Sequence, residues 1–287
     1  MRYRPFGATG VTVSAVTLAV DDAAGASARV RLTYAALESG INAFELRTPD
    51  ADTARALGKG LLAVERDMAV VSLRLPYEGR SLRDALLGRV EAALLASRLG
   101  RVDLLILDGW PPFDLEGLAA LAAAKASGRI ACIGATGEAF DRARHRPELD
   151  ALVCAYTLRA GWPERNRIRN AVERGKFVIG QDSYPDLGAT AAAPAVAGEA
   201  PARRGLLGFS RRPPPIEKTG GYEFMRRTPG WEPDEICLAY ALTEPALASV
   251  VIEADTPEEI ERLAAVTERE LPTGMPAQIE MARFAVT

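Results

Sequence analysis

Along this chain, short runs of β-branched and aliphatic residues alternate with longer stretches in which apolar positions recur every three or four residues. That is the pattern of parallel strands joined by crossover helices. Strands are expected at Ala15–Val20, Asn42–Arg47, Ala69–Leu75, Val102–Gly109, Ile130–Thr136, Leu152–Leu158, Lys176–Asp182 and Ser249–Glu253. Helices are expected at Ser27–Ser39, Arg80–Arg98, Leu115–Ala126, Pro163–Arg174, Pro233–Thr243 and Pro257–Ala265, several opening on a first-turn Pro or a Ser, Asp or Thr cap. Eight strand–helix units predict an α/β protein, a closed (β/α)8 TIM barrel formed by residues 1–287 as a single domain. No G-x-G-x-x-G follows the first strand, which counts against a doubly wound dinucleotide-binding sheet.

Two segments modify this regular picture. Ahead of the first strand, Tyr3–Phe6 and Val11–Val13 flank the turn cluster Gly7-Ala8-Thr9-Gly10, which predicts an N-terminal β-hairpin plugging the bottom of the barrel. After the seventh strand, Pro185–Gly230 is rich in Ala, Pro, Gly and Arg and sustains no period. A long irregular loop, lid-like or disordered, is expected over 185–230.

Composition adds exclusions. With 48% hydrophobic residues the chain can bury one large core, and a net charge of -3 with acids and bases interspersed offers no field for nucleic acid or an anionic membrane. No apolar run approaches the roughly 18 residues that span a bilayer, and the start Met1-Arg2-Tyr3-Arg4-Pro5-Phe6 lacks a signal peptide's apolar core, so a cytoplasmic protein is expected. Cys132, Cys154 and Cys237 stand alone in apolar runs without C-x-x-C spacing, as buried reduced thiols do.

The chemistry of a βα-repeat barrel gathers at the C-terminal ends of its strands. Three strands here carry a charge at that end: Glu45, Arg74 and Asp108. Two carboxylates against one arginine leave excess negative charge, which raises a pKa or attracts a cation. The bland alternative is a salt-bridge cluster. Asp21 and Asp22 after the first strand, and Asp50 and Asp52 after the second, either join this acidic rim or cap helices. Asp21, Glu45, Asp50 and Asp108 offer oxygen ligands for a hard cation, but no calcium-loop spacing or histidine ligand supports a metal site. Trp110, Tyr156 and Trp162 are candidates for the walls of a substrate pocket, with a core role as the competing reading. Gly134-Ala135-Thr136-Gly137 opens a helix and is a short candidate anion cradle. His145, between arginines, reads as a solvated helix residue.

The order of local patterns resembles the aldo-keto reductase family. The matching stretches are Arg4-Pro5-Phe6-Gly7-Ala8-Thr9-Gly10-Val11-Thr12-Val13-Ser14, Gly40-Ile41-Asn42-Ala43-Phe44-Glu45, Leu57-Gly58-Lys59, Arg101–Pro111 and Gly128–Gly134, resuming near Ala239–Leu242 and Ser249–Glu261. The resemblance implies NADPH-dependent carbonyl reduction by an Asp, Tyr, Lys and His tetrad at the barrel mouth. Position by position, the Asp falls on Glu45, the Lys on Arg74, the Tyr on Asp50 or a neighbour and the His on Asp108. No Tyr occurs between Tyr34 and Tyr77, and His145 is the sole histidine. An ionised carboxylate cannot donate the proton a developing alkoxide needs, and a negative charge beside an oxyanion disfavours the transition state. The positions that would grip the adenosine phosphate resemble Glu253, Glu259 and Leu263; those that would hold nicotinamide resemble Thr136-Gly137, Val153, Gln181 and Tyr184.

Three readings follow. In the first, carbonyl reduction is lost, no cofactor or metal is required, and a small polar ligand undergoes redox-neutral lyase- or isomerase-type acid/base chemistry, with Asp108 or Glu45 shuttling a proton and Arg74 clamping an anion. In the second, implied by the resemblance, NADP is bound in a noncanonical way through Thr136, Gln181 and Tyr184, with Tyr184 or water as proton donor. In the third, the barrel binds a ligand without turnover. All three expect a small-molecule partner, no nucleic acid, no membrane, and a monomer.

Overall fold

The computed structural model describes residues 1–79, 81–111, 115–184 and 222–285. Most of the expected irregular loop, 185–221, lies outside the described residues.

A small antiparallel hairpin, β1 (Tyr3–Pro5) and β2 (Thr12–Ser14), comes first. Eight parallel strands then close into a barrel: β3 (Val16–Val20), β4 (Ala43–Leu46), β5 (Val70–Pro76), β6 (Val102–Asp108), β7 (Ile130–Thr136), β8 (Ala151–Ala155), β9 (Phe177–Gln181) and β10 (Leu247–Ile252). Neighbours in sequence are neighbours in the ring, β10 sealing it against both β9 and β3. The expected barrel and hairpin are both present.

Alternation along the strands divides the core into two shells. Inside the barrel, Ala43, Val70, Leu104, Ile106, Cys132, Ala151, Val153, Ile179 and Val251 pack together. Phe6 and Val13 of the hairpin join this inner cluster, and the Phe6 ring meets Phe177 at 4.7 Å, so the hairpin stoppers the N-terminal end. The residues between them on each strand, such as Phe44, Leu73, Leu105 and Leu107, face outward and form the larger core under the helices.

That outer layer consists of α1 (Ala26–Glu38), α2 (Ala51–Gly60), α3 (Leu82–Ala85), α4 (Glu91–Ser97), α5 (Leu115–Ala126), α6 (Gly137–Ala143), α7 (Trp162–Glu173), α8 (Pro233–Leu242), α9 (Pro257–Val266) and α10 (Met275–Ala285). The expected helix Arg80–Arg98 is divided: a π turn over Leu86–Val90 separates α3 from α4, with Gly88 at its middle. Arg98 at φ 59° ends α4 in the left-handed region. The helix that Gly134-Ala135-Thr136-Gly137 was expected to open is present as α6, whereas α2 and α10 were not expected from the hydrophobic pattern. Gly58 and Gly60 lower the propensity of α2. In α2 tertiary packing overrides propensity. A Cβ on Gly58 would lie 2.0 Å from the Ser97 carbonyl oxygen, so glycine lets α2 press against α4.

The expected sixth barrel strand, Leu152–Leu158, also differs. The strand ends at Ala155, and the chain then turns where Arg159 N–H donates to the Thr157 hydroxyl at 3.0 Å and Ala160 N–H to the Thr157 carbonyl at 2.9 Å. Cys132, Cys154 and Cys237 are buried free thiols as expected, burial pushing Cys132 up to about 11 and Cys154 up to about 12. Among the described residues, no helix is long and apolar enough to cross a membrane.

Candidate functional site

Strand parity explains why three charges meet. On β4, Ala43 faces the barrel interior and Phe44 the helices, so Glu45 turns inward again. The same count on β5 from Val70 brings Arg74 inward, and on β6 from Leu104 and Ile106 it brings Asp108 inward. Register places Ser72 beside Glu45 and Pro76 beside Asp108, so Arg74 stands one step along β5 between its two acidic neighbours.

Arg74 uses its whole fork. Its Nε donates to Glu45 Oε1 at 2.8 Å and its Nη2 lies 2.7 Å from the same oxygen. Its Nη1 reaches Asp108 Oδ2 at 3.3 Å, and its Nη2 also donates to Gln181 Oε1 at 2.7 Å. Gln181 closes β9, which stands opposite β5 in the ring of eight strands. The guanidinium therefore crosses the barrel axis. Burial pulls the Arg74 pKa down, but the Glu45 and Asp108 carboxylates raise it by more, and the guanidinium stays charged.

The network continues on both sides. Asp108 Oδ1 accepts from the Thr136 hydroxyl at 2.6 Å, and the Gln181 amide donates to Asp182 Oδ2 at 3.1 Å, Asp182 itself holding φ at 49°. Arg47 Nε lies 3.5 Å from Glu45 Oε1, and Arg47 Nη1 donates to Glu253. Access differs sharply among these groups. The side chain of Glu45 is 1% exposed, Arg74 12% and Asp108 38%, so of the two carboxylates that Arg74 holds, Asp108 is the one solvent can reach.

Among the candidates read from sequence, Glu45, Arg74, Asp108, Thr136 and Gln181 come together. Asp50 does not take part in the network: its Oδ1 accepts from Asp52 N–H and Thr53 N–H, each at 2.9 Å, as the N-cap of α2. Burial pushes the Asp50 carboxyl up, but bonds from Thr53 and Asp52 and the nearby Arg29 more than offset it, and its pKa falls below the ordinary value. Asp21 lies on the rim, its Oδ1 accepting from Ala23 N–H at 3.0 Å in a tight turn.

The aromatic candidates need correction. Tyr156 follows the inward Ala155 and so turns outward, its ring stacked on Tyr240 of α8 at 6.4 Å; it belongs to the outer core, not to a pocket at the mouth. Trp110 is likewise buried in the outer core, where its indole N–H donates to the Leu75 carbonyl at 2.8 Å and its ring meets Tyr77 edge-on. Trp162 begins α7 and is 73% exposed among the described residues. Tyr184 packs on the outer core near Cys237 and Asp234 of α8. Burial, then those neighbours, push its phenol up to about 12, the direction opposite to an activated proton donor.

Arg47 is a residue of this cluster that the strand-end argument passed over. Parity carries its signal, since it lies two residues beyond the inward Glu45. It brings a second cation to Glu45 but shares it with Glu253, so three carboxylates face two arginines and one negative charge is still in excess. A cavity of about 390 Å³ lies elsewhere, on the flank between α4 and α5, lined by Leu86, Val90, Ala120, Ala124 and Ile130. Its walls are mainly apolar, and the chemistry-bearing groups are at the mouth. Among the described residues, no three acids, cysteines or histidines approach closely enough to hold a metal ion.

Solved structures share this arrangement of strands and helices. Aldo-keto reductase AKR11C1 from Bacillus halodurans is similar in its apo form with a TM-score of 0.71 and 17% identity, and in its holo form with 0.72 and 18%, each comparison covering 98% of this chain and 96% of that one. This is the aldo-keto reductase fold. No family model matches the sequence, and no curated protein does.

An aldo-keto reductase barrel implies a nicotinamide dinucleotide, and the described residues of this one fit it poorly. The Gln181 carboxamide and the Thr136 hydroxyl, which resemble nicotinamide ligands, are already taken by Arg74 and Asp108. Leu263 is on the buried face of α9, and Glu259 Oε2 accepts from Asp255 N–H at 2.8 Å, closing the start of that helix with a carboxylate. Burial, and then Glu259, Asp21 and Glu253, raise the Asp255 pKa above its ordinary value. Crowded carboxylates repel a 2′-phosphate.

Proposed function

We propose that this chain is a divergent member of the aldo-keto reductase family that no longer performs NADPH-dependent carbonyl reduction and acts on a small polar ligand by redox-neutral acid/base chemistry at the barrel mouth. The observation that carries the reading is the span of Arg74, whose guanidinium joins Glu45, Asp108 and Gln181 across the barrel. A reductase needs a proton donor and an oxyanion partner at that position. Here a permanent cation is flanked by carboxylates. Arginine cannot supply the proton, and an ionised carboxylate beside a forming alkoxide raises the barrier.

Roles follow from access. Asp108 accepts and returns a proton, because it is the reachable one of Arg74's two carboxylate partners and its bond, at 3.3 Å, is the longest that Arg74 makes. The Thr136 hydroxyl orients it. Arg74 stabilises negative charge that develops on the ligand, and the sealed Glu45 positions Arg74. Removal of a proton from an acidified carbon or hydroxyl, with its return elsewhere, is the lyase or isomerase step such a pair supports. Asp50 has no part in it, being occupied as a helix cap.

Incubation in deuterated water with a mixture of small hydroxy acids, amino acids and amines, followed by mass spectrometry, tests the reading. The expected result is enzyme-dependent deuterium uptake or a new isomeric or dehydrated product that Asp108→Asn abolishes. Consumption of NADPH with an aromatic aldehyde at rates above the protein-free control would contradict it.

A further inference from the structure

We infer that the ligand of this mouth is an elongated organic cation, an alkylamine or guanidinium compound, seated along the arc where β10, β3 and β4 end. The inference rests on the redox-neutral reading and specifies its substrate class.

Three adjacent strands deliver acids to this arc: Glu253 and Asp255 beyond β10, Asp21 beyond β3, and Glu45 on β4. Asp255 has no ion-pair partner among the described residues, and its carboxyl is pushed up by burial and by Glu259, Asp21 and Glu253. An acidic rim alone is compatible with a merely solvated surface. Glu45 supplies the independent sign. Its side chain is 1% exposed and turned towards the barrel axis, yet only Oε1 is engaged by Arg74; Oε2 is buried with no hydrogen-bond partner among the described residues. A buried carboxylate oxygen without a donor is costly, and an N–H from a ligand removes the cost.

The kind of cation follows from spacing. A metal ion needs its oxygens converged, and no group of three acids among the described residues does so. The acids are instead strung along three strand ends, which suits nitrogen donors separated by an alkyl chain. Arg47 demonstrates the fit, since its guanidinium already lies between Glu45 at 3.5 Å and Glu253. A ligand nitrogen entering beside it meets Asp255 and Asp21 at the rim, and Glu45 Oε2 is the buried acceptor still without a donor among the described residues.

Isothermal titration calorimetry of the full chain with spermidine at low ionic strength tests this. Saturable binding is expected, weakened about fivefold by Asp255→Asn and further by the addition of Glu253→Gln. Asp67→Asn, which removes the same charge from an exposed residue at the opposite end of the barrel, should leave the affinity unchanged. Absence of saturable heat, or equal weakening by Asp67→Asn, overturns the cation assignment. A parallel NADPH titration separates the two ideas: NADPH binding defeats the redox-neutral reading, whereas silence from both spermidine and NADPH defeats only the cation class.

Discussion

Arg74 and Gln181 rise from opposite strands of the barrel, and their side chains meet at 2.7 Å over its axis. One arginine thus links a neighbouring strand on each side, through Glu45 and Asp108, with the strand farthest from it. The base of the barrel mouth is spanned by hydrogen bonds made to a charge.

Removing that charge leaves Glu45 buried without its main partner. Arg74→Met should cost about 3 kcal/mol or more of unfolding free energy, measured by urea denaturation. The pair of changes Arg74→Met and Glu45→Met should recover most of that loss, because no buried carboxylate is then stranded. Equal stability of the single and double variants would show that Glu45 is not buried beside Arg74.

The crossing contact predicts coupling between distant strands. In a double-mutant cycle, Arg74→Met and Gln181→Leu should be non-additive by about 1 kcal/mol. Additivity would mean that the two side chains do not meet in solution.

Asp50 gives a pH signature. Its folded pKa lies below the ordinary value of 3.8, so ionised Asp50 stabilises the fold above that pH, and the contribution disappears as pH falls through the lower folded value. Asp50→Ala should lose about 1 kcal/mol at neutral pH through the missing cap. Asp50→Asn keeps a capping oxygen, so its smaller deficit isolates the charge and should vanish below the folded pKa. A deficit that grows on acidification would reverse the sign of the argument.

Gly58 tests the close approach of α2 and α4. Because a Cβ there would lie 2.0 Å from the backbone carbonyl of Ser97, Gly58→Ala should destabilise by about 2 kcal/mol or more, although alanine is the better helix former. A neutral or stabilising change, read by thermal melting, would place the two helices farther apart.

Much of the barrel was legible before any coordinates, since strand and helix periods differ and the eight β-rich runs are well separated. The helices that escaped notice are the glycine-bearing α2, where packing against α4 outweighs local preference, and the segment after Gly274. At the mouth, Glu45, Arg74 and Asp108 were visible because a strand's last inward residue is set by counting in twos. The same count, continued, reaches Arg47 and sends Tyr156 to the outer face. Side-chain reach was beyond any count. Gln181 was legible as a mouth residue, but its bond to Arg74 depends on the diameter of the closed ring.

The most direct test is a titration of NADPH into the purified chain, followed by nicotinamide fluorescence. An Arg74-bridged mouth with carboxylates at the start of α9 predicts no saturable change in emission at concentrations far above micromolar. Saturable micromolar binding, accompanied by enhanced nicotinamide emission, would contradict it.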